Sequence, residues 1–373
     1  MRARRRACVP HKGATRGGRY PPSRIVVIAW CGPKGPHLFC APMPTMAREL
    51  RLPLRVIESR REEPVADGAG SPVVSEVTMQ IRYGYRIELV CEQPTDLLTL
   101  IDVHPSRRHD LIRPDEMRVT PLAGAGEPIP VSQHLDAFGN ICRRLKAPAG
   151  GVSLACEGLI YDNGEPDRVD LAATQVAPAD LPDEVLPYLL GSRYCETDRL
   201  ADTAWQLFGQ VEPGWARVQA VTQFVHNHIT FGYAFARNTR TAFEAFNERI
   251  GVCRDFAHLA IALCRCLNIP ARYCNGYLGD IGVPPDPAPM DFNAWFEVWL
   301  GGRWHTFDAR HNQRRIGRIV IARGRDATDV PMLTSFGPHT LRRFEVITEE
   351  VESEPLRAMS RLVPARQGAH IAA

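Results

Sequence analysis

The chain has no Cys-x-x-Cys pair, although it contains 11 cysteines, at positions 8, 31, 40, 91, 142, 156, 195, 253, 264, 266 and 274. That spacing suggests neither a zinc ribbon nor a thioredoxin-type redox pair. An odd, scattered set in a chain of 373 residues fits a reducing compartment, and a cytoplasmic location is expected. No apolar run approaches the roughly 18 residues that a membrane helix needs, so no membrane partner is expected. The apolar stretch Ile25–Cys31 follows Arg-rich residues, but no A-x-A cleavage site comes closely after it, and it reads as something other than a signal peptide. Acidic residues are missing from positions 1–46, which hold nine Lys or Arg. Removing those nine from 45 basic residues leaves 36 against 42 acids, so the rest of the chain is acidic. An acidic body does not favour nucleic acid.

What is present divides along the chain. Residues 1–75 are rich in Arg, Pro and Gly and read as a disordered basic extension, with Met46 and Met79 both suitable as translation starts. From Val77 the apolar residues alternate, as in Val77, Met79, Ile81, Tyr83 and Tyr85. Further strands are expected at 97–103, 117–121, 141–146, 152–160 and 169–171. Short strands at this spacing predict a small all-β sandwich over 77–177. A Pro-rich link at 178–182 follows. Helical periodicity then predicts helices at 183–190, 198–208, 215–229, 242–250 and 254–267. Thr241 and Glu244 have the spacing of a capping box. After Pro270 strands return at 271–278, 292–300, 303–309, 318–322 and 344–348. Helices followed by strands predict an α+β domain over 183–350, with helices packed on an antiparallel sheet and a tail at 351–373.

The chemistry concentrates at Gly251–Leu267 (GVCRDFAHLAIALCRCL). A glycine turn delivers Cys253 to the first turn of an amphipathic helix. The unpaired N–H groups and positive dipole end found there favour a thiolate over a thiol of pKa about 8.5. Asp255 has a purely structural reading as an acid at a helix start. Cys264 and Cys266, two apart, share no helix face and read as packing.

A hairpin is expected downstream, with Gly301 and Gly302 as a two-residue turn between two strands. That register opposes Trp299 to Trp304, Val298 to His305, Trp295 to Asp308 and Asn293 to Arg310. Asn293 and Asp308 therefore fall on one face, expected to point at Cys253, and His305 on the other.

Five segments now bear comparison with a known family: Gly251–Asp255 (GVCRD), Asn268–Tyr273 (NIPARY), Gly276–Leu278 (GYL), Ala294–Val298 (AWFEV) and Phe307–Asp308 (FD). In order and spacing they resemble the blocks of the transglutaminase-like superfamily. Residues 79–175 are similar to the β-rich N-terminal domain of many bacterial members. The resemblance implies a papain-like cysteine protease type of core and a Cys-His-Asp triad. It implies Cys253 as nucleophile and Asp308 as the orienting acid, with a peptide or protein amide as substrate and no cofactor. Hydrolysis is favoured over cross-linking, since bacterial relatives are more often amidases or peptidases.

The family's histidine position is occupied by Asn293. An amide cannot take a thiol proton or return it to a leaving amine, although Asn293 could hold a carbonyl or a water. Of the remaining histidines, His258 points about 140° away from Cys253 on the helix, and His226 and His228 lie upstream. His311 lies just past Asp308, where strand parity no longer binds, and is the first candidate for a substitute base. Two readings stand: a cysteine hydrolase or acyltransferase working through a Cys253 thioester, or a catalytically impaired member that binds peptides or proteins. The oligomeric state is not legible.

Overall fold

The computed structural model describes residues 79–113, 116–123 and 128–351. The basic extension expected at 1–75 lies outside them, as does the tail beyond Val351. In chain order the strands are β1 (Met79–Val90), β2 (Thr95–Thr99), β3 (Arg118–Pro121), β4 (Val131–Leu135), β5 (Ile141–Ala147) and β6 (Val152–Asp162). The helical part contains α1 (Thr197–Phe208), α2 (Trp215–His228), β7 (Thr230–Phe231), α3 (Ala242–Glu248), β8 (Ile250–Gly251) and α4 (Cys253–Cys266). Then come β9 (Ala271–Tyr277), β10 (Asn293–Leu300), β11 (Arg303–Phe307), β12 (Ile319–Gly324), β13 (Leu333–Ser335) and β14 (Thr340–Val351).

Two four-stranded antiparallel sheets, ordered β14-β1-β6-β3 and β13-β2-β5-β4, form the β-rich region. Alternation drives it: Ile81, Tyr83, Tyr85, Ile87 and Leu89 of β1 are all buried. The strand expected at 344–348 belongs to this region rather than to the helical domain that the 183–350 boundary gave it. It extends over β14 and pairs with β1 from Gln80–Val351 to Val90–Thr340. Its alternating pattern fixed a strand but could not fix the partner. Two expectations fail locally. Residues 169–171 form no strand. Residues 183–190 form only a 3-10 turn at Leu186–Leu189, because Pro187 removes a helix donor. The strand β4 escaped notice because four of its five residues are exposed and give no apolar signal.

The third sheet, ordered β11-β10-β9-β12, is antiparallel throughout. Helix α4 packs on β9 and β10 and is enclosed by α1, α2 and α3. All its residues are buried, as a helix in the middle of a core must be. The polar residues it carries are paired. Arg265 donates to the carbonyls of Ala271, Leu190 and Arg325. His258 accepts from Ala327 N–H at 3.1 Å and is held neutral by burial and by Arg254 and Arg265. The β10–β11 hairpin has the expected register, from Leu300–Arg303 to Phe296–Phe307. Gly301 and Gly302 have φ of 54° and 84°, the left-handed geometry that a two-residue turn demands. Among the described residues no helix is long and apolar enough to cross a membrane.

Candidate active site

Cys253 is the first residue of α4, placed there by a tight local arrangement. The short β8 pairs in parallel with β7 and brings Gly251 against Asp255. A Cβ on Gly251 would stand 2.7 Å from Asp255 Cβ and 2.8 Å from its Oδ2, so only glycine fits. Val252 N–H donates to Asp255 Oδ2 at 3.0 Å, capping the helix. The Asp255 charge is fully buried and is met by Arg240 at 2.9 Å and Arg254 at 3.2 Å. Those arginines also bind the carbonyls of Phe235 and Asn238, which fixes the 235–240 loop beside the helix start. The capping box of Thr241 and Glu244 forms in both directions and starts α3 next to it.

Cys253 opens on a narrow cleft of about 50 Å³, shared with Phe231, Tyr233, Asn293, Arg310 and His311 and walled by Asp286 and residues 288–292. A larger cleft of about 680 Å³ lies behind Asp308, between Trp215, Phe307 and Leu171. It contains neither the thiol nor His311.

Access to the cleft, rather than burial, separates Cys253 from its neighbours on the same helix, for Cys253 is 6% exposed and Cys266 8%. Desolvation pushes the Cys266 thiol up to about 11 and that of Cys264 higher still. Cys195, packed beside α4, is pushed up to about 12 by the same cause. Thiols so shifted are inert at neutral pH.

On the facing side, Asn293 is the first residue of β10 and pairs in register with Gly276. Its Oδ1 accepts from Arg310 at 3.0 Å, and its Nδ2 donates to the Asp291 carbonyl at 3.3 Å. The strand face it shares with Trp295 and Glu297 does not point at Cys253 as a whole, and that expectation is corrected. Phe296 and Val298, on the other face, join the core with α4, whereas Trp295 packs apart from it with Cys274 and Val320. Asn293 reaches the cleft because it stands at the end of the strand, beside the helix start. His305 lies on the helix-facing side, away from the cleft, edge-on to Trp215 and bonded to the Leu300 carbonyl at 3.2 Å.

Asp308 follows β11 and is buried. Its Oδ1 accepts His311 N–H at 3.0 Å, and its Oδ2 accepts His311 Nδ1 at 2.9 Å. The same Oδ2 accepts Arg318 at 2.9 Å. Burial alone would raise the Asp308 pKa, but Arg318 and His311 outweigh it and hold the carboxyl well below the usual carboxylate range. A turn closed by Asn312 N–H on the Asp308 carbonyl, at 2.8 Å, brings His311 back beside the acid. His226 on α2 steadies this turn by bonding the Arg310 carbonyl at 2.9 Å. His228 instead bonds the Phe246 carbonyl.

Arg310 and Arg318 were not singled out from the sequence. Arg310 had a signal, since the hairpin register already opposed it to Asn293. Arg318 had none, because its contact depends on the long-range pairing of β12 with β9. Among the described residues no cluster of His, Cys, Asp and Glu is built to hold a metal.

A family model described as the transglutaminase-like superfamily matches residues 202–309. An uncharacterised protein of Mycobacterium leprae (strain TN) is 24% identical over 225 residues, which are 58% of this chain and 80% of that protein. An uncharacterised protein of Mycobacterium tuberculosis (strain ATCC 25618 / H37Rv) is 39% identical over 99 residues, covering 24% of this chain and 32% of its own length. A crystal structure from Cytophaga hutchinsonii, described as a proposed cysteine protease, has a TM-score of 0.63 and 29% identity, covering 74% of this chain and 92% of that one.

Proposed function

The chain carries a transglutaminase-like domain, and from that premise we propose that it is a cysteine hydrolase or acyltransferase acting on peptide or protein amides, with Cys253 as nucleophile and His311 as the base. The observation that carries this reading is the 2.9 Å bond between Asp308 Oδ2 and His311 Nδ1, on a histidine that lines the same cleft as Cys253. With Nδ1–H held by the acid, Nε2 is the nitrogen that exchanges protons. The Cys253 proton passes to Nε2, and the thiolate adds to the amide carbonyl. The resulting oxyanion is stabilised at the helix start, where the Cys253 N–H is the natural donor. His311 returns the proton to the leaving amine as the C–N bond breaks, leaving a thioester. Water, deprotonated by Nε2, adds to that thioester and expels the thiolate, which takes back its proton. Asn293 cannot transfer protons. It holds Arg310 in place and offers an amide to a substrate carbonyl.

No metal or organic cofactor has a part in these steps. A cytoplasmic location accords with eight buried described cysteines, none of them in a disulfide.

A second reading is favoured by one observation. The residue in the family's histidine position is an amide already engaged by Arg310 and Asp291. On that reading the cleft binds a peptide without cleaving it.

Incubation with p-nitrophenyl acetate separates the two. The hydrolase reading expects a burst, an acetyl group on Cys253 by mass spectrometry, and loss of turnover in His311→Gln. An unacylated Cys253 leaves the binding reading, and equal turnover in His311→Gln overturns the assignment of the base.

A further inference from the structure

We infer that Asp167 and Arg318 are positioning residues that set how strongly Asp308 supports a charged His311, so that the segment following β6 tunes the Cys253 site. The inference rests on the proposed reading of Cys253 and His311.

The geometry is a chain of shared charges. Arg318 donates Nε to both oxygens of Asp167, at 3.1 and 3.0 Å, and its terminal nitrogen to Asp308 Oδ2 at 2.9 Å. That Oδ2 is also the atom that accepts His311 Nδ1. Arg318 and Asp308 are almost wholly buried, with side chains 8% and 3% exposed, so their charges are poorly screened by water. Arg318 also lies over the Trp295 ring, which limits its movement.

Asp167 is held as firmly. Its backbone N–H donates to the Arg315 carbonyl at 2.9 Å, and its Oδ2 accepts Arg315 N–H at 3.0 Å. Arg314 binds its carbonyl at 2.6 Å. Asp167 comes from the stretch that leaves the β-rich region, whereas Asp308, His311 and Arg318 belong to the helical half. One ion triad therefore joins the two halves at the acid of the site.

The electrostatic consequence follows from competition. A carboxylate oxygen shared with a full guanidinium charge is a weaker partner for an imidazolium. Asp167 draws part of that charge away and so restores the Asp308 pull on His311. Its own negative charge acts in the same direction. The other charged groups near the triad are Arg107 on the Arg318 carbonyl, Arg314 on the Asp167 carbonyl, Arg310 and Arg315, with Asp162, Glu165, Arg168, Glu297 and Arg323 lining the cleft beside Asp167 and Arg318. Those lining the cleft with His311 are Asp280, Asp286, Asp291, Arg310 and Arg315. None of them changes in the variants below.

The test is carboxymethylation of Cys253 by iodoacetate in the full chain, with the Cys253 peptide quantified across pH. A thiolate beside an imidazolium gives a bell-shaped profile, because the anionic reagent is drawn to the imidazolium. The falling limb reports loss of that charge. Asp167→Asn keeps the shape and most hydrogen bonds but removes the charge. It should move the falling limb down by about one pH unit, tenfold in proton affinity. Arg318→Gln should move it up, and Arg318→Lys should leave it nearly in place. A merely structural role would not produce shifts of opposite sign. If Arg318→Gln does not fold, Asp167→Asn and Arg318→Lys decide the matter. A falling limb that His311→Gln removes but Asp167→Asn leaves in place overturns the triad and spares the hydrolase reading. A falling limb that survives His311→Gln overturns both.

Discussion

Cys253 and Cys264 sit on the same helix in different surroundings, and the proposed chemistry falls to one of them only. Cys264 lies in the last turn, fully enclosed, where loss of water disfavours the thiolate. Cys253 lies at the helix start, at the positive end of the helix dipole, and a cleft gives access. Helix position and access decide which thiol can react. The same contrast separates His258 from His311. One is buried against Tyr194 and Tyr273 and held neutral, whereas the other is held by Asp308 at the edge of the cleft.

Substitutions at the two cysteines should break this comparison in opposite ways. Cys253→Ser is expected to cost on the order of 10³-fold or more in acyl transfer, measured as turnover of an activated ester, with little change in melting temperature. Cys264→Ser should leave turnover intact but lower stability by about 1–3 kcal/mol through a poorly paired buried hydroxyl, read from urea midpoints. Equal losses of activity in the two variants would remove the distinction.

The acid behind the site should carry the largest stability effect. Asp308→Asn leaves Arg318 with one carboxylate partner instead of two in a buried site. It should cost about 3–5 kcal/mol, the range for breaking a buried ion pair. The sign of the pH dependence follows from the depressed Asp308 pKa. Its contribution is complete above the unfolded carboxylate value, near 4, and is lost as pH falls toward the lower folded value. Wild type should therefore lose stability in acid more steeply than Asp308→Asn, and parallel acid limbs would contradict the assignment.

A smaller effect sharpens the geometry. Gly251→Ala should cost about 1–3 kcal/mol by overpacking against Asp255, and should slow Cys253 alkylation as the helix start shifts. Smaller again, Thr241→Ala removes one cap bond of α3 and should cost about 1 kcal/mol with no change in alkylation. Thermal unfolding and alkylation of the two variants side by side would check both.

Much of this was legible in the sequence, for local reasons. The helix start at Cys253, the capping box and the hairpin register all follow from neighbouring residues, and the structure has each of them. The register was right, but the side of the sheet that meets α4 was not: His305 lies on the helix-facing side, opposite Val298, and stays out of the cleft because its ring packs on Trp215. What stayed hidden depends on distant segments. The return of β14 to β1 unites strands some 260 positions apart, and no local pattern encodes that choice. His311 could be nominated but not placed, because the turn after Asp308 is held partly by His226 on another helix. The Asp167–Arg318 pair arises only when the segment after β6 meets β12.

The most direct test of the account is the pH profile of Cys253 carboxymethylation in wild type, His311→Gln and Asn293→His. The account predicts a bell in wild type whose falling limb disappears in His311→Gln, and faster reaction at neutral pH in Asn293→His, where a second imidazole enters the cleft. A wild-type profile that rises as an ordinary thiol near pH 8.5 and is unchanged in His311→Gln would contradict it.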